Sequence, residues 1–273
     1  MNKGKIIKIL KNVGIISLWA AMVSGLIVSL AFVNRQVDEM TCSKINVKIK
    51  SHNDLSFVDR GIVLKIIRDD GNENLILGKN ISSLNISKLE HRLQANKMIQ
   101  RVQVFTNLNG ELNIDIIQRE PILRILKADG TGFYIDKKGL KMPLSEHFTA
   151  RVPVASGNIY ERYSGTDSIQ SFVCRELFTI ATHVDKDAFW KAQIEQIFVN
   201  AENELVLIPK VGDHRIIFGN TQHLEEKFTR LNLFYKEGLK KAGWNKYQSI
   251  NVSYNGQVVC VKNEKNNNRK LHQ

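Results

Sequence analysis

The feature that most constrains this chain is an uninterrupted apolar run near its N-terminus. From Val13 to Val33 the sequence has no charged residue in 21 consecutive positions. At about 1.5 Å per residue, a helix of this length crosses a hydrocarbon core of roughly 30 Å. Backbone amides have no water partners in that core, so a helix is the conformation expected there. The run therefore predicts a transmembrane helix over residues 13–33.

The residues before the run predict its orientation. Four lysines and no acid precede it: Lys3, Lys5, Lys8 and Lys11. Because lysine-rich flanks stay in the cytoplasm, residues 1–12 are predicted to be a cytoplasmic tail. The remaining mass and the C-terminus are then predicted to lie outside a cell inner membrane, in the periplasmic or extracytoplasmic space. A cleaved signal peptide is the alternative, although its apolar core normally spans about 7–15 residues.

The net charge of the chain indicates which classes of partner it could bind. The formal net charge of +12 suits the neighbourhood of anionic membrane lipid. The basic residues are scattered and form no stripe with aromatic residues, so nucleic acid is not a predicted partner.

The chain has three cysteines, Cys42, Cys174 and Cys260. This odd and sparse set is not a disulfide framework, although one disulfide remains possible.

No group of residues in the sequence has the spacing of a catalytic or metal site. The seven histidines include no metal-spaced pair, and neither a nucleophile elbow nor a Walker-type phosphate loop occurs. We therefore predict that the chain is not an enzyme and that it uses no metal, cofactor or small-molecule substrate.

Residues 43–121 carry the signals of a small α+β module. Apolar and polar residues alternate from Ile45 to Ile49, which predicts a strand. Two helices follow, the first capped by Ser56 and the second marked by a capping box over Ser87–Glu90. Two more strands flank Asn109-Gly110, a favourable hairpin turn. The order strand, helix, helix, strand, strand is that of a POTRA-like module, a fold that usually binds peptide or protein.

Residues 122–261 predict a second, β-rich domain. Short alternating strands, a helix over roughly 168–183 and a longer helix that starts near Leu224 indicate a mixed α/β domain with an antiparallel sheet. Asn255-Gly256 predicts a closing hairpin. Residues 262–273 are predicted to be a disordered polar tail. The expected fold class is thus α+β, with one N-terminal transmembrane helix, the β-α-α-β-β module and this domain.

Several motifs together resemble a known family. The module closes with an R-x-P sequence, in which the fixed residues are Arg119 and Pro121. This closure, the basic tail, the apolar run and the module resemble the FtsQ/DivIB proteins of bacterial cell division. The second domain continues the resemblance through a set of strand and turn residues: Tyr134, Asp136, Gly139 and Gly157. The resemblance is closest around the final hairpin, and it covers the chain from the apolar run to the last strand.

The resemblance implies a bitopic membrane scaffold of the division machinery at the septum. Such a scaffold binds other single-pass division proteins of the FtsB/FtsL type and links early and late division components. The family's partner surface lies in the C-terminal hairpin, and a final strand over Gln257–Val261 would leave one edge open for strand addition. The candidate partner-binding residues are Tyr247, Ile250, Tyr254, Gln257, Val258, Val259 and Val261.

Two other functions remain open at this point. A POTRA-bearing component of a translocation or secretion system would contain the same module, but here a long helix and short strands follow it. An anchored cell-envelope enzyme would need paired carboxylates, a nucleophile or a metal set, and no such pairing is visible in the sequence.

Overall fold

A computed structural model of the protein describes residues 14–29, 40–50, 55–68, 76–164 and 168–263. The predicted cytoplasmic tail over 1–12 and nearly all of the predicted polar tail lie outside these residues. The described residues belong to two compact units, Met1–Lys50 with Val58–Ile117, and Ser51–Phe57 with Gln118–Gln273.

The predicted transmembrane helix over 13–33 is wrong. Its described part, α1, is helical over residues 14–29. At about 1.5 Å per residue, the part of this helix that the structure describes spans about 24 Å, less than the roughly 30 Å hydrocarbon core. None of the helices within the described residues has the length and apolar character needed to cross a membrane. Residues 30–33, the end of the predicted span, lie outside the described residues.

The first unit has the predicted order strand, helix, helix, strand, strand. Its elements are β1 (Lys44–Lys50), α2 (Arg60–Ile67), α3 (Ile86–Gln94), β2 (Ile99–Thr106) and β3 (Glu111–Gln118). The sheet order is β1-β3-β2, with β1 parallel to β3. Alternate side chains of β3 are fully buried, namely Leu112, Ile114 and Ile116. The apolar positions of α2 and α3 are buried as well, at Val63, Ile67, Leu89 and Leu93.

Local side chains set the ends of these elements. Asp59, rather than Ser56, caps α2 by accepting a hydrogen bond from the Ile62 amide at 2.8 Å. Asn85, rather than Ser87, caps α3 through the Lys88 amide at 2.9 Å. The predicted turn at Asn109-Gly110 is confirmed, and Gly110 has φ +77°. A Cβ on Gly110 would lie 2.7 Å from the Thr41 carbonyl oxygen, so a larger residue does not fit there.

The second unit contains a nine-stranded sheet with helices packed on it. Its strands are β4 (Pro121–Leu126), β5 (Gly132–Asp136), β6 (Lys141–Pro143), β7 (Val154–Gly157), β8 (Ile194–Val199), β9 (Leu205–Pro209), β10 (Arg215–Gly219), β11 (Tyr247–Asn251) and β12 (Val259–Lys262). The strand order is β12-β11-β10-β9-β8-β7-β4-β5-β6. The pairs β4–β7, β7–β8 and β10–β11 are parallel. The sheet is therefore mixed, which corrects the predicted antiparallel sheet.

Two helical regions cover this sheet. The first consists of α4 (Phe172–Lys186) and α5 (Ala188–Gln193), and Ser171 caps α4 through the Cys174 amide. The second consists of α6 (Leu224–Leu233), a π-helical turn over Phe234–Leu239, and α7 (Lys240–Ala242). Apolar residues of both regions and of the strands form one buried core, which includes Leu177, Trp190, Phe228, Leu123, Leu207 and Ile250.

Candidate partner-binding edge

Among the described residues, strand β12 is the last strand in the order of the nine-stranded sheet and therefore forms one of its two edges. It pairs antiparallel with β11, so that Val261 lies opposite Ser249 and Val259 opposite Asn251. Val259 and Val261 are 42% and 53% exposed. An edge strand presents unpaired backbone N–H and C=O groups, and such groups accept a strand from another chain. We call β12 and its two exposed valines the open edge.

The loop that leads into β12 is fixed from both sides. The Val252 amide donates to the Ile217 carbonyl at 3.0 Å, which continues the pairing of β10 with β11. The Arg230 guanidinium on α6 donates to the carbonyls of Val252 and Tyr254 at 3.3 and 3.2 Å. These contacts hold the loop against α6, and the side chain of Tyr254 is left 52% exposed. The open edge is thus presented by an ordered loop.

The structure divides the predicted partner-binding residues into three groups. Tyr254, Gln257, Val259 and Val261 are exposed, and a partner chain can reach their side chains. Tyr247 and Val258 are half-buried and pack against the core. Ile250 is fully buried, so its side chain supports β11 from within the domain. The predicted last strand over Gln257–Val261 is observed over Val259–Lys262, with Gln257 in the preceding loop.

Two models of known protein families match the chain, one in each of its two units. A family model described as FtsQ/DivIB, C-terminal related, matches residues 120–261. The chain belongs to the FtsQ/DivIB family. A POTRA-like domain model matches residues 40–117. No curated protein matches the chain.

Membership in the FtsQ/DivIB family identifies the chain as a cell-division protein. The family is one of non-enzymatic division scaffolds, whose members take part in protein–protein interactions within the division machinery. In the described residues, histidine, cysteine and acidic side chains form no group of three or more that could hold a metal ion.

The R-x-P motif of this FtsQ/DivIB-family chain lies at the start of the second unit. Arg119 Nε donates to Asp136 Oδ2 at 2.8 Å, and the two side chains are only 8% and 5% exposed. Asp136 Oδ1 also accepts from the amides of Lys138 and Leu140, both at 2.9 Å. Pro121 begins β4 opposite Asp136. The motif therefore fixes the turn between β5 and β6 and contributes no residue to the open edge.

A groove that the sequence analysis missed lies beside the open edge. It has a volume of about 740 Å³ and is lined by residues of β8 to β12, among them Phe198, Ile208, Ile217, Ser249 and Val261. Phe198 is 42% exposed. The alternation of apolar residues in these strands predicts one buried face. It gives no signal for half-buried apolar side chains on the other face.

Burial shifts the pKa values of two cysteines and one histidine in this unit. Burial raises the pKa of Cys174 to about 12, and it raises the pKa of Cys260 as well. Burial lowers the pKa of His214, an effect that the Trp244 carbonyl and Asp213 partly offset. His214 Nε2 lies 2.7 Å from Tyr235 Oη. A thiol held protonated is a poor nucleophile, so neither cysteine has the environment of a catalytic residue.

Proposed function

We propose that this chain is a division scaffold that binds single-pass division proteins of the FtsB/FtsL type at the division site. In this proposal, one strand of the partner adds to β12, and the scaffold links early and late components at the cell membrane. The observation that carries the proposal is the position of β12 at the end of the sheet order, with Val259 and Val261 exposed. Family membership supports the choice of partner class.

In strand addition, backbone hydrogen bonds supply most of the affinity and side-chain contacts supply the specificity. Backbone hydrogen bonds from β12 would supply a contact that any extended segment can make. The valine side chains would supply preference, because covering the exposed half of each is worth roughly half of the 1.5–3 kcal/mol gained by burying a fully exposed valine. Tyr254 and Gln257, in the loop before β12, would contact the end of the added strand.

A matched pair of glutamate variants tests the side-chain contribution. Val261→Glu places a charge on the open edge, and Val211→Glu places the same charge on a valine of similar exposure, 49%, in a bend elsewhere in the same unit. We expect Val261→Glu to abolish co-purification of the FtsB/FtsL-type complex from the same organism. Val211→Glu should leave it unchanged, and both variants should keep the wild-type melting temperature. Equal co-purification by the two variants would contradict the proposal.

Two proline variants test the backbone contribution. Successive N–H groups of an edge strand point alternately toward its neighbour and away from it. Of Cys260→Pro and Val261→Pro, one therefore removes a donor to β11 and the other removes a donor from the open edge. We expect the variant that stays folded by circular dichroism to lose the partner. If both proline variants stay folded and both still bind the partner, strand addition at β12 is excluded.

A cellular experiment tests the division role separately. A fluorescent fusion should gather at the division site, and depletion of the chain should produce filamentous cells. Uniform fluorescence together with normal septation would contradict a role in division, whatever the binding assays show.

A further inference from the structure

A second recess in the C-terminal unit lies away from β12, on the helical side of the sheet. It has a volume of about 400 Å³, and six residues line it: Phe189, Tyr235, Lys236, Glu237, Lys240 and Trp244. We call it the aromatic slot. Phe189 and Trp244 are 43% and 38% exposed, whereas Tyr235 is only 3% exposed. The two exposed rings are therefore walls of the recess, and Tyr235 is its floor.

The slot is built on a rigid base. The ring of Tyr235 packs edge-on against Phe189 at 6.0 Å and against Trp244 at 5.6 Å between centroids. Its hydroxyl lies 2.7 Å from Nε2 of the buried His214. The buried Trp190 supports Tyr235 from a further side, at 5.4 Å. Because these contacts already order the rings, a ligand would bind without a large loss of side-chain entropy.

The π-helical turn and the first residue of α7 place charged residues at the rim of the slot. Lys236 and Lys240 are both exposed, and within the described part of the chain neither is paired with an acidic side chain. Among the described residues that line the slot, Glu237 is the one acid, and its Oε2 lies 3.1 Å from Nζ of the exposed Lys241. The rim thus combines exposed aromatic rings with an excess of positive charge. π-Helical turns of this kind are rare and occur frequently at functional sites.

We propose that the aromatic slot binds an acidic peptide segment that carries one aromatic or aliphatic anchor residue. The anchor would pack between Phe189 and Trp244 on the ring of Tyr235, since aromatic residues dominate the energetics of such contacts. Flanking carboxylates would pair with Lys236 and Lys240. This site would bind a different segment from the strand proposed for β12. The slot would bind one anchor side chain and its flanking carboxylates, whereas the open edge would bind mainly the backbone of an extended strand.

The shape of the slot favours a peptide over a membrane surface. Membrane-interface aromatic residues project outward to reach the headgroup region. Here Phe189 and Trp244 are both less than half exposed and flank a concave recess. A recess with a preformed floor fits one inserted side chain, and a flat lipid surface cannot fill it.

Binding of a designed acidic peptide to the full chain tests the proposal. The probe is a fluorescein-labelled peptide with a central Leu-Phe pair between two Glu-Asp-Glu stretches, and fluorescence anisotropy measures its dissociation constant. We expect a value below about 1 mM in low salt. Replacing the Leu-Phe pair by Gly-Gly, or all acids by glutamine, should weaken binding at least about tenfold. Added salt should weaken it as well, because the charges at the rim are exposed.

Matched variants locate the binding site on the protein. Trp244→Ala and the double change Lys236→Glu/Lys240→Glu should each weaken binding of the probe about tenfold. The controls are Tyr160→Ala, which removes an aromatic ring that is 83% exposed, and Lys138→Glu/Lys210→Glu, which reverses two exposed lysines outside the slot. Both controls should bind within about twofold of wild type, a difference of at most roughly 0.4 kcal/mol.

Three results would overturn the proposal. The first is no binding of the probe by wild-type protein below about 1 mM. The second is equal binding by the slot variants and their controls. The third is displacement of the bound probe by vesicles of phosphatidylcholine and phosphatidylglycerol, which would assign the slot to anionic lipid. None of these results bears on strand addition at β12, so the two proposals fail separately.

Discussion

The nine-stranded sheet has two edges, and the β6 edge is protected in ways that the β12 edge is not. Strand β6 has only three residues, of which Lys141 and Met142 are buried and Pro143 has no N–H to offer. An antiparallel bridge between Leu140 and Ser168 lies next to β6. In β12, by contrast, both valines are exposed and the strand ends the sheet order. Proteins usually protect an edge strand from pairing, so the open β12 edge is the one suited to a partner.

A buried ion pair holds the protected edge. Lys141 Nζ lies 3.2 Å from Glu161 Oε1, and the two side chains are 3% and 7% exposed. Glu161 also accepts from the amides of Gln170 and Ser171 and from the Ser171 hydroxyl, at 3.0, 2.8 and 2.6 Å. The carboxylate thus ties β6 to the segment before α4. Removal of this pair should convert the protected edge into an exposed one.

The largest expected effect comes from Glu161→Ala. The change leaves the buried Lys141 ammonium unpaired, which costs about 3–5 kcal/mol of the free energy of unfolding. Urea denaturation of the two proteins measures this loss. Hydrogen exchange should also become faster in β6 and remain unchanged in β12. If exchange in β6 stays at the wild-type rate, Glu161 does not protect that edge.

Acid should weaken the protected edge before the open one. Burial alone would raise the pKa of Glu161, but the hydrogen bonds from Ser171 and Gln170 outweigh it and lower the pKa from 4.5 to about 2. Because the folded-state pKa is depressed, this stabilisation is complete above about pH 5 and is lost as the pH falls toward 2. The loss amounts to about 3 kcal/mol. Denaturation midpoints measured across this range should fall in the wild type and change less in Glu161→Gln.

The smallest expected effect is that of a lysine on the open edge. Val261→Lys should change the free energy of unfolding by no more than about 0.5 kcal/mol, because the side chain is already half exposed. Its counterpart is Met142→Lys, which places the same charge at a fully buried position of β6. That variant should lose at least about 3 kcal/mol, since a buried ammonium without a partner is costly. Similar losses in both variants would mean that the two edges do not differ in burial.

Local signals account for the features that the sequence predicted correctly. Alternating apolar residues and the Asn109-Gly110 turn predicted the strands of the first unit, because both signals act within a few residues. Helix caps were less well predicted, since Asp59 and Asn85 compete with nearby serines for the same role. The length and apolar character of the run predicted a transmembrane helix, but none of the helices within the described residues is long and apolar enough to cross a membrane.

Long-range features could not be predicted from the sequence. Alternation of apolar residues identifies a strand but carries no information about its direction, so the parallel pairs at β7 were missed. Burial of Lys141 depends on Glu161, twenty residues further along the chain, and neither residue has a distinguishing local pattern. The edge position of β12 was predicted because the last strand of a domain often lacks a second neighbour. Ile250 is buried in a core that includes residues of distant helices, so its burial could not be predicted from the sequence of the hairpin.

The connection between β10 and β11 has a consequence for how the domain is completed during synthesis. These two strands are parallel, so the chain must pass through α6, the π-helical turn and α7 before β11 can pair. Until then, β10 is the last strand of that side of the sheet. A nascent or shortened chain that stops before Tyr247 would therefore offer β10, and not β12, to any strand that it encountered. Only a chain made to the end of the hairpin carries the proposed contact, so partner recruitment would depend on completion of this domain.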